Sequence, residues 1–218
     1  MTKNKKNYFH STLISNVKNK VMLIIRFFRR LFLKNKSFSI ISDNCWGEFL
    51  YQYFNLSFKS PFIGLFIFYP DYIRLLKDLR SYLNYTLEFI DPNNSMYKEQ
   101  MEKCGTFNTY PIALLGDVEI HFLHYDNETV AKDKWERRVK RVDYNNLVVK
   151  FCDRDLATNE HIDEFLKLSF EHKICLTSSK YSPTGCITLS NFILDNEWHN
   201  FKKSAGVIKT INKLYPTK

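Results

Sequence analysis

The sequence predicts an α/β protein: a three-layer sandwich around a mainly parallel sheet, preceded by an N-terminal basic amphipathic helix. Three observations predict it. Apolar runs of strand length alternate with segments of helical periodicity along the chain. One of these runs, Phe62-Ile-Gly-Leu-Phe-Ile-Phe68, is apolar throughout, as a strand buried on both faces is. The first 36 residues hold ten Lys or Arg and no Asp or Glu, and so differ sharply in charge from residues 37–218.

The arm, residues 1–36, opens with a polar basic stretch. From Leu13 to Leu33 apolar residues are interrupted by Lys18, Arg26, Arg29 and Arg30, the three arginines falling on one helical face. The uninterrupted run Val21–Ile25 is far shorter than the roughly 20 apolar residues a bilayer span needs. The pattern is that of a helix lying on an anionic membrane surface through residues 13–36; a helix packed on the domain or a dimer arm is the plainer alternative. Residues 37–218 form one domain. Outside the arm, 22 basic residues face 23 acidic ones, so the net charge of +9 belongs to the arm and a nucleic-acid-binding surface is not indicated. Five cysteines without paired spacing, and no cleavable leader pattern, point to reduced thiols in a cytoplasmic protein on the inner face of the membrane.

In order, Phe38–Ile41 reads as a buried strand, succeeded by the polar turn Ser42, Asp43, Asn44 and a helix opening near Cys45. Phe49, Leu50, Tyr53 and Phe54 give that helix an inward stripe. After the run 62–68, Tyr69-Pro70-Asp71 starts a helix with Ile73, Leu75, Leu76 and Leu79 inward. Leu87–Ile90 is a strand, and 91–109 a long excursion with the length of a functional flap. Tyr110–Gly116 and Val118–His124 are apolar stretches broken at Gly116-Asp117. Asn127 caps a helix from Glu128 to about Arg141. Next come the strand Leu147–Cys152, a helix capped by Thr158, the strand Lys173–Thr177 and the run Cys186–Leu189, with the ending unassigned.

Parallel strands share one carboxyl edge, where open α/β folds bind ligands. Four polar clusters fall at predicted strand ends: Ser42–Cys45, His124–Asp126, Asp153–Asp155 and Ser178–Lys180. A cysteine at a helix start is placed for a lowered pKa. Cys45 is therefore a candidate nucleophile, with His124 as base and Asp153 as orienting carboxylate. The alternative is that Cys45 is structural and the backbone N–H groups of the turn do the work. Ser42, Asp43, Asn44, Trp46, Gly47, Tyr125, Arg154, Asp155 and Ser178 complete the candidate binding set. His121 and His124 lie on opposite faces of a strand, so no metal is expected there. Asp153-Arg154-Asp155 has the form of the acidic metal-binding motif of nucleotide-sugar glycosyltransferases; an arginine–carboxylate network is the plainer reading.

Ser42-Asp-Asn-Cys-Trp-Gly47, Ser60-Pro-Phe-Ile-Gly-Leu65, Tyr110-Pro-Ile-Ala113 with Gly116-Asp-Val118, His124-Tyr125 and Trp135-Glu-Arg-Arg-Val-Lys-Arg141 together resemble a bacterial family of uncharacterised exopolysaccharide-biosynthesis proteins. The resemblance covers residues 37–200, and Glu48 stands where the family pattern has a second glycine. Asn44-Cys45 is also similar to the Asn-Cys start of capsule-biosynthesis proteins assigned as acetyltransferases, which implies a coenzyme A donor. These resemblances imply an acyl (acetyl) transferase acting on a sugar hydroxyl of a glycan or lipid-linked glycan. The alternatives are a metal-dependent glycosyl- or phosphosugar transferase, and a non-enzymatic scaffold of a polysaccharide machine.

Overall fold

The computed structural model of the protein describes residues 3–154, 156–178, 181–189 and 197–216, and side chains from residue 17 onward. Its framework is a four-stranded, all-parallel sheet in the order β1 (Ser39–Ser42), β5 (Leu147–Cys152), β6 (His172–Thr177), β7 (Cys186–Thr188). Parallel neighbours need crossovers, and helices supply them. In chain order the helices are α2 (Trp46–Tyr53), α3 (Tyr69–Lys77), α4 (Leu79–Tyr82), α5 (Lys98–Lys103), α6 (Glu128–Val139) and α7 (Asn159–Lys167), with α8 (Glu197–Ser204) and α9 (Val207–Lys213) after the last strand. The arm is one helix, α1 (Lys3–Leu31).

Each helix start is built as its sequence dictates. Pro70 sits in the first turn of α3, Asn127 Oδ1 accepts from Val130 N to cap α6, and Thr158 caps α7 in a reciprocal box with His161. The tyrosines of α2 and α3 tie helix to sheet. Tyr51 Oη donates to Phe38 O at 3.1 Å and accepts from Ile40 N at 3.0 Å. Tyr72 Oη lies 3.0 Å from Ile41 O and 2.7 Å from Lys150 O, so one buried hydroxyl serves both β1 and β5.

Two expectations are corrected. The run 62–68 is interior but forms no regular strand. Gly64 takes φ +70°, where a Cβ would meet Tyr125 and His124, and this breaks the extended path. What remains is a single antiparallel bridge, Phe66 to His121, with Ile67 N donating to Asp43 O at 2.9 Å. The segment thus staples the end of β1 to a second sheet. That sheet is the other correction: β2 (Leu87–Ile90), β3 (Ile112–Leu115) and β4 (Val118–His121) are antiparallel and separate from the main sheet. Gly116, at φ +67°, makes the β3–β4 turn. His124 therefore comes after a strand of the small sheet and does not stand at the carboxyl edge of the parallel one. The excursion 91–109 is ordered: Pro92–Asn94 forms a 3-10 turn, and Glu119 accepts from Ser95 Oγ at 2.5 Å and Met96 N at 2.6 Å.

α2 lies so close to β1 that a Cβ on Gly47 would come within 2.7 Å of Ser42 Oγ and 2.9 Å of Ile40 Cγ2. Neither is the far end of a flexible chain, so helix and strand must separate to admit a methyl. Gly47→Ala is expected to cost about 1–3 kcal/mol despite alanine's better helix propensity, read as a lowered urea midpoint at unchanged m-value. An unchanged or raised midpoint would refute the close approach.

Candidate functional site

Of the four predicted polar clusters, three end strands of the parallel sheet: Ser42–Cys45 after β1, Asp153 and Arg154 after β5, and Ser178 after β6. At this edge lies a cavity of about 570 Å³. Its walls are aromatic, from Trp46, Phe49, Phe66 and Trp198, and its polar lining comes from Asn44, Cys45, Arg154, Glu197 and Thr106.

Beneath the cavity is a buried ionic cluster. Lys150, fully enclosed in the middle of β5, places Nζ 3.0 Å from Asp43 Oδ1, 3.2 Å from Asp43 Oδ2 and 2.5 Å from Glu197 Oε1. Burial pulls the lysine pKa down, but the facing Asp43 and Glu197 carboxylates outweigh this and hold the ammonium protonated. Burial raises Asp43 to about 6, since Lys150 offsets only part of the desolvation and Glu197 adds to it. Glu197 goes the other way: burial would raise it, yet Lys150 and the Asn44 amide hold it ionised and below its usual value. The cluster is completed by Tyr69, whose hydroxyl donates to Asp43 Oδ2 at 2.7 Å and accepts from Cys152 N at 3.2 Å.

Asn44 connects this cluster to the cavity. Its Oδ1 accepts from Trp46 N at 3.0 Å, at the start of α2, and its Nδ2 donates to Glu197 Oε2 at 2.9 Å, at the start of α8. Arg154 Nη1 stands 3.7 Å from the same carboxylate oxygen. Trp46 stacks edge-on with Trp198 and Phe201, and its buried Nε1 has no hydrogen-bond partner among the described residues.

The catalytic trio expected from the sequence is not assembled. Cys45 caps α2 in helical conformation, but burial first, then the nearby Glu48 and Asp43 carboxylates, push its thiol up to about 12 rather than down. Its Sγ faces Leu65 O at 3.9 Å. His124 is exposed, does not line the cavity, and has no hydrogen bond to Cys45. Asp153 turns to β6, accepting from Ser178 N at 2.6 Å and Ser178 Oγ at 2.7 Å, so Ser178 is its partner rather than a cavity residue. Tyr125 is a strut between Ile63 O and Arg138: its hydroxyl donates to Ile63 O and accepts from Arg138 Nη1. Ser42 Oγ donates to Asn44 O and shapes the turn, and Gly47 lies where α2 meets β1. Asp155 lies outside the described residues. Of the expected set, then, Asn44, Cys45, Trp46 and Arg154 reach the cavity, with Asp43 directly beneath it.

His121 is buried among Phe66, Phe68, Tyr97 and Tyr110 with neither ring nitrogen hydrogen-bonded among the described residues. Desolvation lowers its pKa to about 3, so it is neutral. Asp43, Cys152 and Glu197 bring donor atoms within 4.8 Å of one another, the spacing of a metal site. The Lys150 ammonium sits between the two carboxylates and pairs with both, so the donor set fits a buried cation the chain already provides.

The residues of the cavity and its buried cluster that sequence reasoning missed are Lys150, Glu197, Trp198 and Tyr69. Lys150 had a signal: a lysine inside an otherwise apolar buried strand must find a counter-charge. Glu197 had none, being 153 residues from Asn44.

A family profile described as a domain of unknown function, DUF1919, matches residues 16–215. The chain belongs to the DUF1919 family. A relative from Haemophilus influenzae, described as an uncharacterized protein, is 35% identical over 149 residues. The match takes in 68% of this DUF1919 chain and 66% of the relative, so the chain spans just under two thirds of that relative's length.

Removing the lysine should expose what the cluster is for. Lys150→Met leaves two buried carboxylates facing each other without a cation and is expected to cost about 3–5 kcal/mol. Without the ammonium both native-state carboxyl pKa values rise. A group raised in the folded state stabilises below its unfolded pKa and loses that contribution as pH rises through the folded one. The Lys150→Met deficit should therefore be smaller at pH 5 than at pH 8 in urea denaturation. A pH-independent deficit would contradict the pairing.

Proposed function

We propose that the cavity binds a sugar residue of a cell-surface glycan, and that the protein acts on a hydroxyl of that sugar as a transferase in exopolysaccharide or capsule assembly. One observation carries the reading: aromatic side chains wall a cavity whose lining presents a fixed carboxylate, amide and guanidinium. A pyranose has apolar C–H faces and a hydroxyl rim. Trp46, Trp198, Phe49 and Phe66 suit the faces, while Glu197 and Asn44 suit the rim as acceptor and donor. The resemblance of Ser42–Gly47 and its companion motifs to exopolysaccharide-biosynthesis proteins supports the same substrate class.

Acyl transfer to the sugar hydroxyl from a coenzyme A thioester is the reaction we assign: the sugar oxygen bonds to the acyl carbon, the C–S bond breaks, and the hydroxyl proton ends on the coenzyme A thiol that leaves. In this reading Cys45 is not the acyl carrier, because a thiol raised to about 12 holds almost no thiolate at neutral pH. Its role is to line the wall. Glu197, ionised and lining the cavity, is the hydroxyl's acceptor, and its ion pair with Lys150 and the hydrogen bond it accepts from Asn44 Nδ2 fix the carboxylate's direction.

Titration with hexoses, N-acetylhexosamines and short oligosaccharides, monitored by tryptophan fluorescence, should give a saturable change. Trp198→Ala should weaken it at least about ten-fold. Incubation with labelled acetyl-CoA and the bound sugar should transfer label in the wild type and in Cys45→Ala alike, and not in Glu197→Gln. No fluorescence response to any sugar would remove the binding reading. Label transfer lost in Cys45→Ala with an intact fold would restore the thiol to the mechanism.

A further inference from the structure

The described part of α1 presents a row of exposed apolar side chains. Val17, Val21, Ile24, Phe28 and Leu31 succeed one another three and four residues apart, flanked by Phe27 and Phe32. Phe27, Phe28 and Phe32 are 55%, 54% and 67% exposed, so none is used by the domain. The opposite side of the helix carries Arg26, Arg29 and Arg30. Among the described residues, no helix is long and apolar enough to cross a membrane.

The foot of this helix is fixed to the domain. Leu33 enters the core, Lys34 N donates to Asn212 Oδ1 at 2.9 Å, Asn212 Nδ2 donates to Phe32 O at 2.8 Å, and the Arg29 guanidinium lies 4.0 Å from the centre of the Tyr53 ring. Beside this joint is a second cavity, of about 430 Å³. Its lining includes Arg30, Lys34, Lys36 and Lys59, with Ser37 and Ser57 as neutral hydrogen-bonding groups, and no acidic residue. Lys59 Nζ already donates to Ser37 Oγ at 2.7 Å, which keeps its ammonium at the rim.

From these two features we infer that α1 and the cavity at its foot form one anionic-lipid docking surface. The apolar row enters the headgroup boundary while Arg30, Lys34, Lys36 and Lys59 hold a lipid phosphate. Charge decides the occupant. Residues 17–36 hold seven Lys or Arg and no acid, and the cavity at the helix foot is lined by Arg30, Lys34, Lys36 and Lys59 with no acidic residue, so a second copy of this surface would offer those cations no counter-charge. An anionic surface satisfies both the apolar row and the cations. The surface is independent of the sugar site, which lies at the carboxyl edge of the parallel sheet.

The test is co-sedimentation of the full chain with vesicles of phosphatidylcholine alone, or of phosphatidylcholine with phosphatidylglycerol. Binding is expected only to the anionic vesicles, weakening as salt screens the charges. The variant Arg30→Gln/Lys34→Gln/Lys36→Gln/Lys59→Gln should lose about five-fold in partitioning per charge removed. Phe28→Ser/Phe32→Ser should reduce binding even at low salt. All these side chains lie outside the core, and circular dichroism with an unchanged sugar titration verifies the fold. Failure to sediment with anionic vesicles at low salt overturns the inference. So does binding that survives the four-charge variant. Uptake of inorganic phosphate in solution without vesicle binding, or a concentration-dependent dimer indifferent to vesicles, also overturns it.

Discussion

A single ammonium holds the carboxyl edge of the parallel sheet together. Lys150 is fully buried, and an unpaired charge at such a position would cost several kcal/mol. Its pairing with Asp43 and Glu197 therefore fixes where three separate elements must meet: the turn after β1, the middle of β5 and the first turn of α8. Once Lys150 sits there, Asp43 is committed to the interior, which places Asn44 beside it, and Asn44 then joins the starts of α2 and α8. Those helix starts carry the two tryptophans that wall the cavity. The charges thus specify an arrangement that apolar packing would leave free to slide. They also give Glu197, at the cavity wall, a fixed charge and a fixed direction.

The aromatic part of the site rests on a different constraint. The segment 62–68 runs between the two sheets, bonded to Asp43 O on one side and to β4 on the other. Phe66, in the middle of it, reaches the cavity. The small antiparallel sheet therefore contributes to the site through this segment and the ordered excursion after β2, which supplies Thr106, rather than through His124. Glu119, by accepting from Ser95 and Met96, keeps that excursion folded against the sheet.

Much of this was legible in the sequence. The parallel strands 39–42, 147–152 and 172–177, the Asn127 and Thr158 caps, the Pro70 helix start and the polar turn after β1 all obey local rules. The run 62–68 misled because continuous apolarity reports burial and not backbone shape; one glycine in the left-handed region changed the path. His124 misled because a hairpin in a second sheet and a strand of the first carry the same alternation over four residues. The site was half legible. Asn44, Trp46 and Arg154 lie where strand-end reasoning put them, but Glu197 and Trp198 belong to a tail whose relation to residue 44 no local pattern encodes. The environment of Cys45 was likewise unreadable: a helix start lowers a thiol pKa, and only the fold shows burial and two carboxylates outweighing it.

The bond from Asn44 to Glu197 spans 153 residues, and the one from Lys34 to Asn212 spans 178. Both clasps join an early-made part of the polypeptide to a much later one. A nascent chain emerges with β1, α2 and Lys150 long before the carboxylate and indole of α8 exist. Until then the lysine has one counter-charge instead of two, and the cavity lacks an acceptor and a wall. Assembly of the site is consequently a late event in synthesis, and a chain ending before residue 197 would carry most of the core with no competent cavity. Helices α8 and α9 are thus the last pieces to join the core, and α8 the last to join the cavity wall.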